Sequence, residues 1–293
     1  MVTLTVLVTA LRHLRSPRLM KLIQLTDIHL TTPGQTIGGR DPNANFEAAL
    51  THALSQHPDT EAIVITGDLS DWGDRADYER LRARIATLPV PVHLAIGNHD
   101  DRAIFLQVFP ELADADGHVQ SRFPLSRGTG LVIDTWGPRS HAGFFCAKRC
   151  AWLEQALTVA DAPVFLFMHH NPVPTYIAPL DHIMLRDSDT FGAVIATHRQ
   201  HIAHIFFGHC HLPLSGSLYG VPVSGSRGTN HAGWADFTER HMLLGSDLPQ
   251  AYAVIVANGA TVTVQMVEFG YRGERRIEGS PDYDAWNRTT MVR

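Results

Sequence analysis

From Lys21 onward, short apolar runs alternate with stretches in which apolar residues return every three or four positions. Leu22–Thr26, Ala62–Thr66, Val92–Ile96, Gly130–Trp136, Val164–Met168 and Ile202–Phe207 read as strands. The β-branched runs among them are nearly continuous, as strands buried on both faces require. Between them, Phe46, Ala49, Leu50 and Leu54, and then Tyr78, Leu81, Ile85 and Leu88, fall on single helical faces. Pro89 and Pro91 stop the second of these helices, which runs from Arg75 to Leu88. Further helices are predicted over Ala103–Phe109, Lys148–Leu157 and Phe191–Thr197. Near the C-terminus, Ala251–Ala257 and Ala260–Phe269 alternate on either side of Asn258-Gly259, a pair that favours a two-residue hairpin turn. Strands interleaved with helices predict an α/β layered fold.

The residues that end the runs change the picture. Five runs stop at an acid, an amide or an imidazole: Asp27, Asp68, Asn98, His169 and His209. Ligands in layered α/β folds collect outside the carboxyl ends of strands. Asp68 follows Gly67, which lets the backbone turn sharply, and its two oxygens can address two metal ions. Taken alone, that stretch favours a solvent-facing Asp in a turn. With His29 and His211 added, the seven donors are oxygen and imidazole without thiolate, a set suited to Mn, Fe or Zn. Two divalent ions with two carboxylates and a hydroxide leave a charge of roughly +1, which attracts a phosphodiester.

Composition fits this reading. The 293 residues are 44% hydrophobic and 18% charged, ordinary for a globular chain. A net charge of −5 without a basic run disfavours a nucleic-acid polymer as partner. Three cysteines form no disulfide framework and suit a cytoplasmic location. Histidine, at 18 residues, outnumbers the 13 phenylalanines.

Asp27-x-His29, Gly67-Asp68-x-x-Asp71-x-Gly73, Gly97-Asn98-His99-Asp100, His169 and Gly208-His209-x-His211 resemble, in order, the motifs of the calcineurin-like metallophosphoesterases. The resemblance spans Lys21 to His211. It implies an α/β fold of two face-to-face sheets flanked by helices. It also implies two divalent or mixed-valence ions (Fe, Mn or Zn), one held by Asp27, His29, Asp68 and His211, the other by Asp68, Asn98, His169 and His209. His99 would reach the substrate and protonate or stabilise the leaving oxygen, with a metal-bound hydroxide attacking phosphorus. Trp72 and Asp100 stand where Ser/Thr protein phosphatases carry Arg and Glu, and Asp71 where purple acid phosphatases carry a Tyr ligand. The Gly-Asn-His-Asp-Asp run looks most like bacterial class III cyclic nucleotide phosphodiesterases and related glycerophosphodiesterases. The implied function is hydrolysis of small phosphodiesters; the alternatives are a broad phosphomonoesterase or a metal-free scaffold of the same fold.

Other residues carry blander expectations. His170 and Cys210 follow or separate ligands on extended backbone and should point away, His170 in a structural role. His198, His201 and His204 read as surface or capping residues. Asp71 reads as orienting a ligand or capping a helix. Whether Asp181–Met184 lines the substrate pocket stays open. Residues 1–20 read as an extension outside the core, with Met20 a possible natural start, 21–240 as the catalytic domain, and 241–293 as a hairpin continuous with it. That hairpin would extend a sheet, form a cap or make a contact in a homodimer or larger homo-oligomer. No run is long enough to cross a membrane.

Overall fold

The computed structural model describes residues 19–161 and 163–275. The first sheet is built on β1 (Met20–Leu25), which pairs in parallel with β2 (Ala62–Thr66), itself parallel to β3 (Val92–Ala95). The second is built on β5 (Gly128–Val132), β6 (Val164–Phe167), β7 (Ile202–Phe207) and β9 (Val221–Gly225), all parallel in that order. Antiparallel strands β4 (Ser121–Leu125) and β8 (Leu214–Leu218) close its two edges.

The period of two explains why the strands read as unbroken apolar runs. Leu22 and Val64 point to a cluster between the sheets, where they meet Phe123, Phe165, Phe167 and Phe206. Ile23, Ile63 and Ile65 point outward, against Phe46 and Leu50 of α1 (Pro42–Gln56), Tyr78 and Leu81 of α2 (Arg75–Ile85), and Phe105 of α3 (Arg102–Val108). On the second sheet, Leu166 and Ile205 point outward to Leu153 and Leu157 of α4 (Ala147–Val159) and Phe191 and Ile195 of α6 (Ser188–His198). A short helix, α5 (Ala178–Asp181), lies between β6 and α6. The result is helix, sheet, sheet, helix, as the resemblance implied.

Several expectations change. The first strand starts at Met20, fully buried and paired with Ala257, so Met20 belongs to the sheet; the rest of the expected extension, residues 1–18, lies outside the described residues. The strand expected over Gly130–Trp136 ends at Val132. Asp134 is buried there, and its carboxylate accepts from the N–H groups of Val119 and Trp136 and from Arg102, which draws the chain off the sheet. Pro124 masked β4, yet an edge strand tolerates proline. The terminal hairpin, β12 (Tyr252–Ala257) and β13 (Val262–Val267), extends the first sheet beside β1. Its turn is set one residue on from the expected pair, with the Asn258 N–H donating to the Thr261 carbonyl at 3.2 Å across Gly259 and Ala260. Ala257 pairs with Val262, and Asn258 Oδ1 accepts from the N–H groups of Ala260 and Thr261. A two-residue ladder, β10 (Ala232–Gly233) with β11 (Gly245–Ser246), stands apart from both sheets. No helix among the described residues is long and apolar enough to cross a membrane.

Candidate metal centre

The carboxyl ends of β1, β2, β3, β6 and β7 meet at one rim, where the two sheets are stitched together. Gln24 Nε2 donates to the Phe207 carbonyl (3.1 Å), and the Thr229 N–H to the Thr26 carbonyl (2.8 Å). His169 Nδ1 crosses to the Thr66 carbonyl at 2.8 Å. Past the strand ends the backbone turns left-handed at Asp27 (φ 53°), His29 (47°), Asp68 (48°), His209 (67°) and His211 (52°). Such conformations are costly for residues with a Cβ and persist where the surroundings enforce them, which marks this rim as a functional site. Glycine is required at Gly97, since a Cβ there would overlap the Asp68 carboxylate and the His169 ring.

All seven donors arrive at this rim. Asp27, His29, Asp68 and His211 offer ligand atoms that all lie within 4.8 Å of one another. Asp68 lies between two imidazoles, Oδ1 3.4 Å from His169 Nε2 and Oδ2 3.6 Å from His29 Nε2. Asn98 Oδ1 is 3.1 Å from His169 Nε2, while Asn98 Nδ2 donates to His141 Nδ1 at 2.9 Å. Asp27 accepts from the His209 N–H and lies 3.3 Å from His211 Nε2.

The second nitrogen of each imidazole tests whether metal fits. His29 Nδ1 bonds to Asp71 Oδ1 (3.0 Å), His169 Nδ1 to the Thr66 carbonyl, His209 Nε2 to the Ile183 carbonyl (3.0 Å) and His211 Nδ1 to the His231 carbonyl (3.2 Å). A nitrogen facing a carbonyl or carboxylate carries its proton outward, so the other nitrogen turns a lone pair inward. His29 Nε2 is buried without any hydrogen-bond partner. An orphaned buried acceptor beside a carboxylate is what a cation would satisfy. Asp71 thus orients His29, as its position suggested; the cap of α2 is Asp74 instead.

The electrostatics agree. Burial opposes the charged form of Asp68, yet His169, His99 and His29 outweigh it and hold the carboxyl well below its ordinary range. Burial also opposes charge on His169, but Asp68 lifts its pKa to about 9, so in the metal-free chain its inward nitrogen carries a proton that a bound cation would displace. The rim is a dry, electronegative pocket that draws positive charge. Burial and the neighbouring His169 push His209 down to about 3, leaving it neutral as a metal ligand must be.

His99 sits in a turn closed by the Asp100 N–H on the Gly97 carbonyl, which separates its direction from that of Asn98. Its backbone N–H donates to Asp68, Nδ1 donates to the Asp71 carbonyl at 2.9 Å, and the ring lines a cavity of about 400 Å³ beside the donors. Ile183 lines the cavity, which answers the open question for that residue, while Asp181 is used to cap the Thr175 and Tyr176 N–H groups.

Two expectations on histidine are corrected. His170 does not leave the site. It is fully buried beneath Gly143, and its ring is 4.6 Å from that of His209; the bond of its Nδ1 to Thr135 Oγ1 (2.8 Å) fits the structural role expected of it. His204 is buried in β7, bonded to Ser224 Oγ at 2.7 Å and stacked on Phe206. Cys210 does turn into the core. Two residues of the site carried no sequence signal, and a third, Asp100, was legible only as part of the Gly97–Asp100 motif. The His231 ring lies 4.2 Å from that of His211, tilted by 43°, and His141 orients Asn98; both lie on loops without periodicity. Asp100 accepts from the Leu69, Ser70 and Gly97 N–H groups and from Tyr78, binding the two ligand loops together.

Comparison with known proteins agrees with this geometry. The family model for calcineurin-like phosphoesterases matches residues 20–213. The chain is 36% identical over 259 residues to a probable cyclic nucleotide phosphodiesterase of Rhodopseudomonas palustris, covering 87% of this chain and 94% of the relative. It is 29% identical to the glycerophosphodiester phosphodiesterase GpdQ of Enterobacter lignolyticus, covering 66% of this chain and 71% of the relative. A dimetal phosphatase from Danio rerio superposes with a TM-score of 0.60 at 15% identity, over 85% of this chain and 99% of the other, which is a likeness of fold. The left-handed ligand rim, the inward-facing lone pairs and these matches converge: the chain belongs to the calcineurin-like phosphoesterase family of phosphoester hydrolases.

Proposed function

We propose that the protein hydrolyses small phosphodiesters, cyclic nucleotides or glycerophosphodiesters, at a two-metal centre bridged by Asp68. The observation that carries this reading is the place of Asp68, whose two oxygens face two separate imidazole sets. Asp27, His29, Asp68 and His211 would hold one ion; Asp68, Asn98, His169 and His209 the other. When bound, the ions would neutralise charge on the phosphoryl oxygens and ready a water for attack at neutral pH.

The chain's own groups supply orientation and the proton. The outward hydrogen bonds of the four imidazoles lock their rings. His141 fixes the amide of Asn98 so that Oδ1 faces the centre. Because His99 Nδ1 donates to a carbonyl, Nε2 is the nitrogen left for substrate. Nε2 delivers a proton only from the imidazolium form. In the metal-free chain burial disfavours that form while the Asp68 carboxylate and the Asp71 carbonyl outweigh it and raise the pKa of His99; bound cations would lower it again. The position of Nε2 is what fits His99 to protonate the leaving oxygen. The names of the relatives support a diester over a monoester.

The test is a panel assay of metal-loaded protein on 3′,5′-cyclic AMP, a 2′,3′-cyclic nucleotide, a glycerophosphodiester and a phosphomonoester. Turnover of a diester with little of the monoester is expected. Turnover of the monoester alone would move the assignment to a phosphomonoesterase.

A further inference from the structure

The cavity beside Asp68, at about 400 Å³, falls in the range that encloses a small organic ligand and exceeds what a bare phosphoryl group needs. Away from the donors its walls are mostly apolar, with Asp236 and Glu239 the acidic residues among them. On one side stand Ile177, Leu180 and Ile183. On the other runs the β10–β11 connection, from Trp234 to Leu244. This loop is closed at its base, where Gly233 pairs with Gly245 and the Trp234 N–H donates to the Leu244 carbonyl at 2.8 Å. Two carboxylates brace its interior. Asp236 Oδ1 accepts from the Thr238 and Glu239 N–H groups, and Glu239 Oε1 from those of Arg240, His241 and Met242. The Gly233 N–H donates to the carbonyl of His211 at 3.0 Å, so the loop is keyed to a candidate ligand.

The wall is preformed, yet its apolar side chains are left open. Trp234, Met242 and Leu243 line the cavity while remaining 52%, 64% and 57% exposed. A contiguous exposed apolar rim on a polar centre marks a binding surface. An indole offers a flat face on which a planar base stacks, whereas a glycerol chain gains little from it. Building on the phosphodiesterase reading, we propose that the β10–β11 loop selects the organic group of the diester, with Trp234 as the stacking face, and favours a planar base over a glycerol chain.

Metal-loaded wild type, Trp234→Ala and Trp234→Phe are compared on 3′,5′-cyclic AMP and on a glycerol–ethanolamine phosphodiester. In Trp234→Ala, KM for cyclic AMP is expected to rise about tenfold or more with little change in kcat, the signature of lost binding that is uniform along the reaction. The same variant should lose less than about threefold in kcat/KM on the glycerol diester, and Trp234→Phe should recover most of the KM. Equal losses on both substrates, or none on cyclic AMP, would overturn the assignment of the loop. Equilibrium binding of a fluorescent cyclic AMP derivative gives a second readout, and its Kd should rise in step with KM. If wild type turns over neither diester but binds the derivative through Trp234, the phosphodiesterase reading fails and the loop assignment stands. If diesters are hydrolysed without discrimination, or no Trp234-dependent binding is seen, the loop assignment fails.

Discussion

The two sheets bring different chemistry to the same rim. The first ends in Asp27, His29, Asp68 and Asn98, and so carries both carboxylates. The second ends in His169, His209 and His211 and offers imidazoles only. Neither sheet alone makes a metal centre. The first by itself would hold two buried anions with few counter-charges, and the second a cluster of neutral rings. In the assembled rim His169 reaches the Thr66 carbonyl and the His209 N–H reaches Asp27. Each proposed ion takes donors from both sheets, so packing the sandwich and building the site are one event.

Outside the donor sets, the largest effect should come from a residue that belongs to the rim without joining them. His99→Ala is expected to retain both metals yet slow turnover by roughly 10²–10⁴. The loss should shrink on a nitrophenyl diester, whose leaving group needs little protonation. Metal content and kcat on good and poor leaving groups check this; equal losses would reject the acid role.

If each ion spans both sheets, metal also holds the sandwich closed. Stripping both ions with a chelator should lower stability by about 5 kcal/mol, roughly 2.7 for each ion, relative to protein with metal at a hundredfold its Kd. A fall of several degrees in Tm by calorimetry would register it. An unchanged Tm would mean that the folded chain holds no metal in preference to the unfolded one, which would contradict a metal centre at this rim.

A smaller effect separates the two ions. Asp71 touches His29 on the first sheet and none of the second sheet's imidazoles. Asp71→Asn is expected to weaken one ion by roughly 10- to 100-fold and leave the other in place. Titration of apo protein should then show two distinct affinities. Equal weakening of both ions would remove the distinction.

The smallest effect is in the frame. His93 of β3 stacks on Phe123, and His204 sits in β7; burial pushes both down to about 4, so both are neutral when folded. The unfolded chain, with histidine near 6.5, binds protons that the folded chain refuses. Stability from each is therefore fully present above that pH and is lost as pH falls toward 4. For His204 the loss between pH 7 and 5.5 is about 1 kcal/mol. His204→Gln should flatten the pH dependence of urea midpoints in that window; an unaltered slope would contradict it.

The elements that were legible from sequence share a cause. Strands buried on both faces are continuous apolar runs, so β1, β2, β6 and β7 stand out, and their ends expose Asp27, Asp68, His169 and His209. The edge strands β4 and β8 bury little and carry Pro124 or Ser215 and Ser217, so no pattern marks them. Left-handed backbone at Asp27 or His211 leaves no trace in composition, because it is imposed by packing. His231 and His141 reach the site from loops that only the tertiary fold brings near. His170 stays beside the site because the chain past β6 does not continue the strand alternation from which its direction was read.

The central claim is that Asp68 joins donors from both sheets into one two-metal centre. Elemental analysis of metal-reconstituted wild type and Asp68→Ala, with folding verified by circular dichroism, tests it most directly. Two ions per wild-type chain are expected, with at most one weakly held ion and background activity in the variant. A wild type that holds a single ion, or a variant that keeps two ions and full activity, would contradict the bridging role.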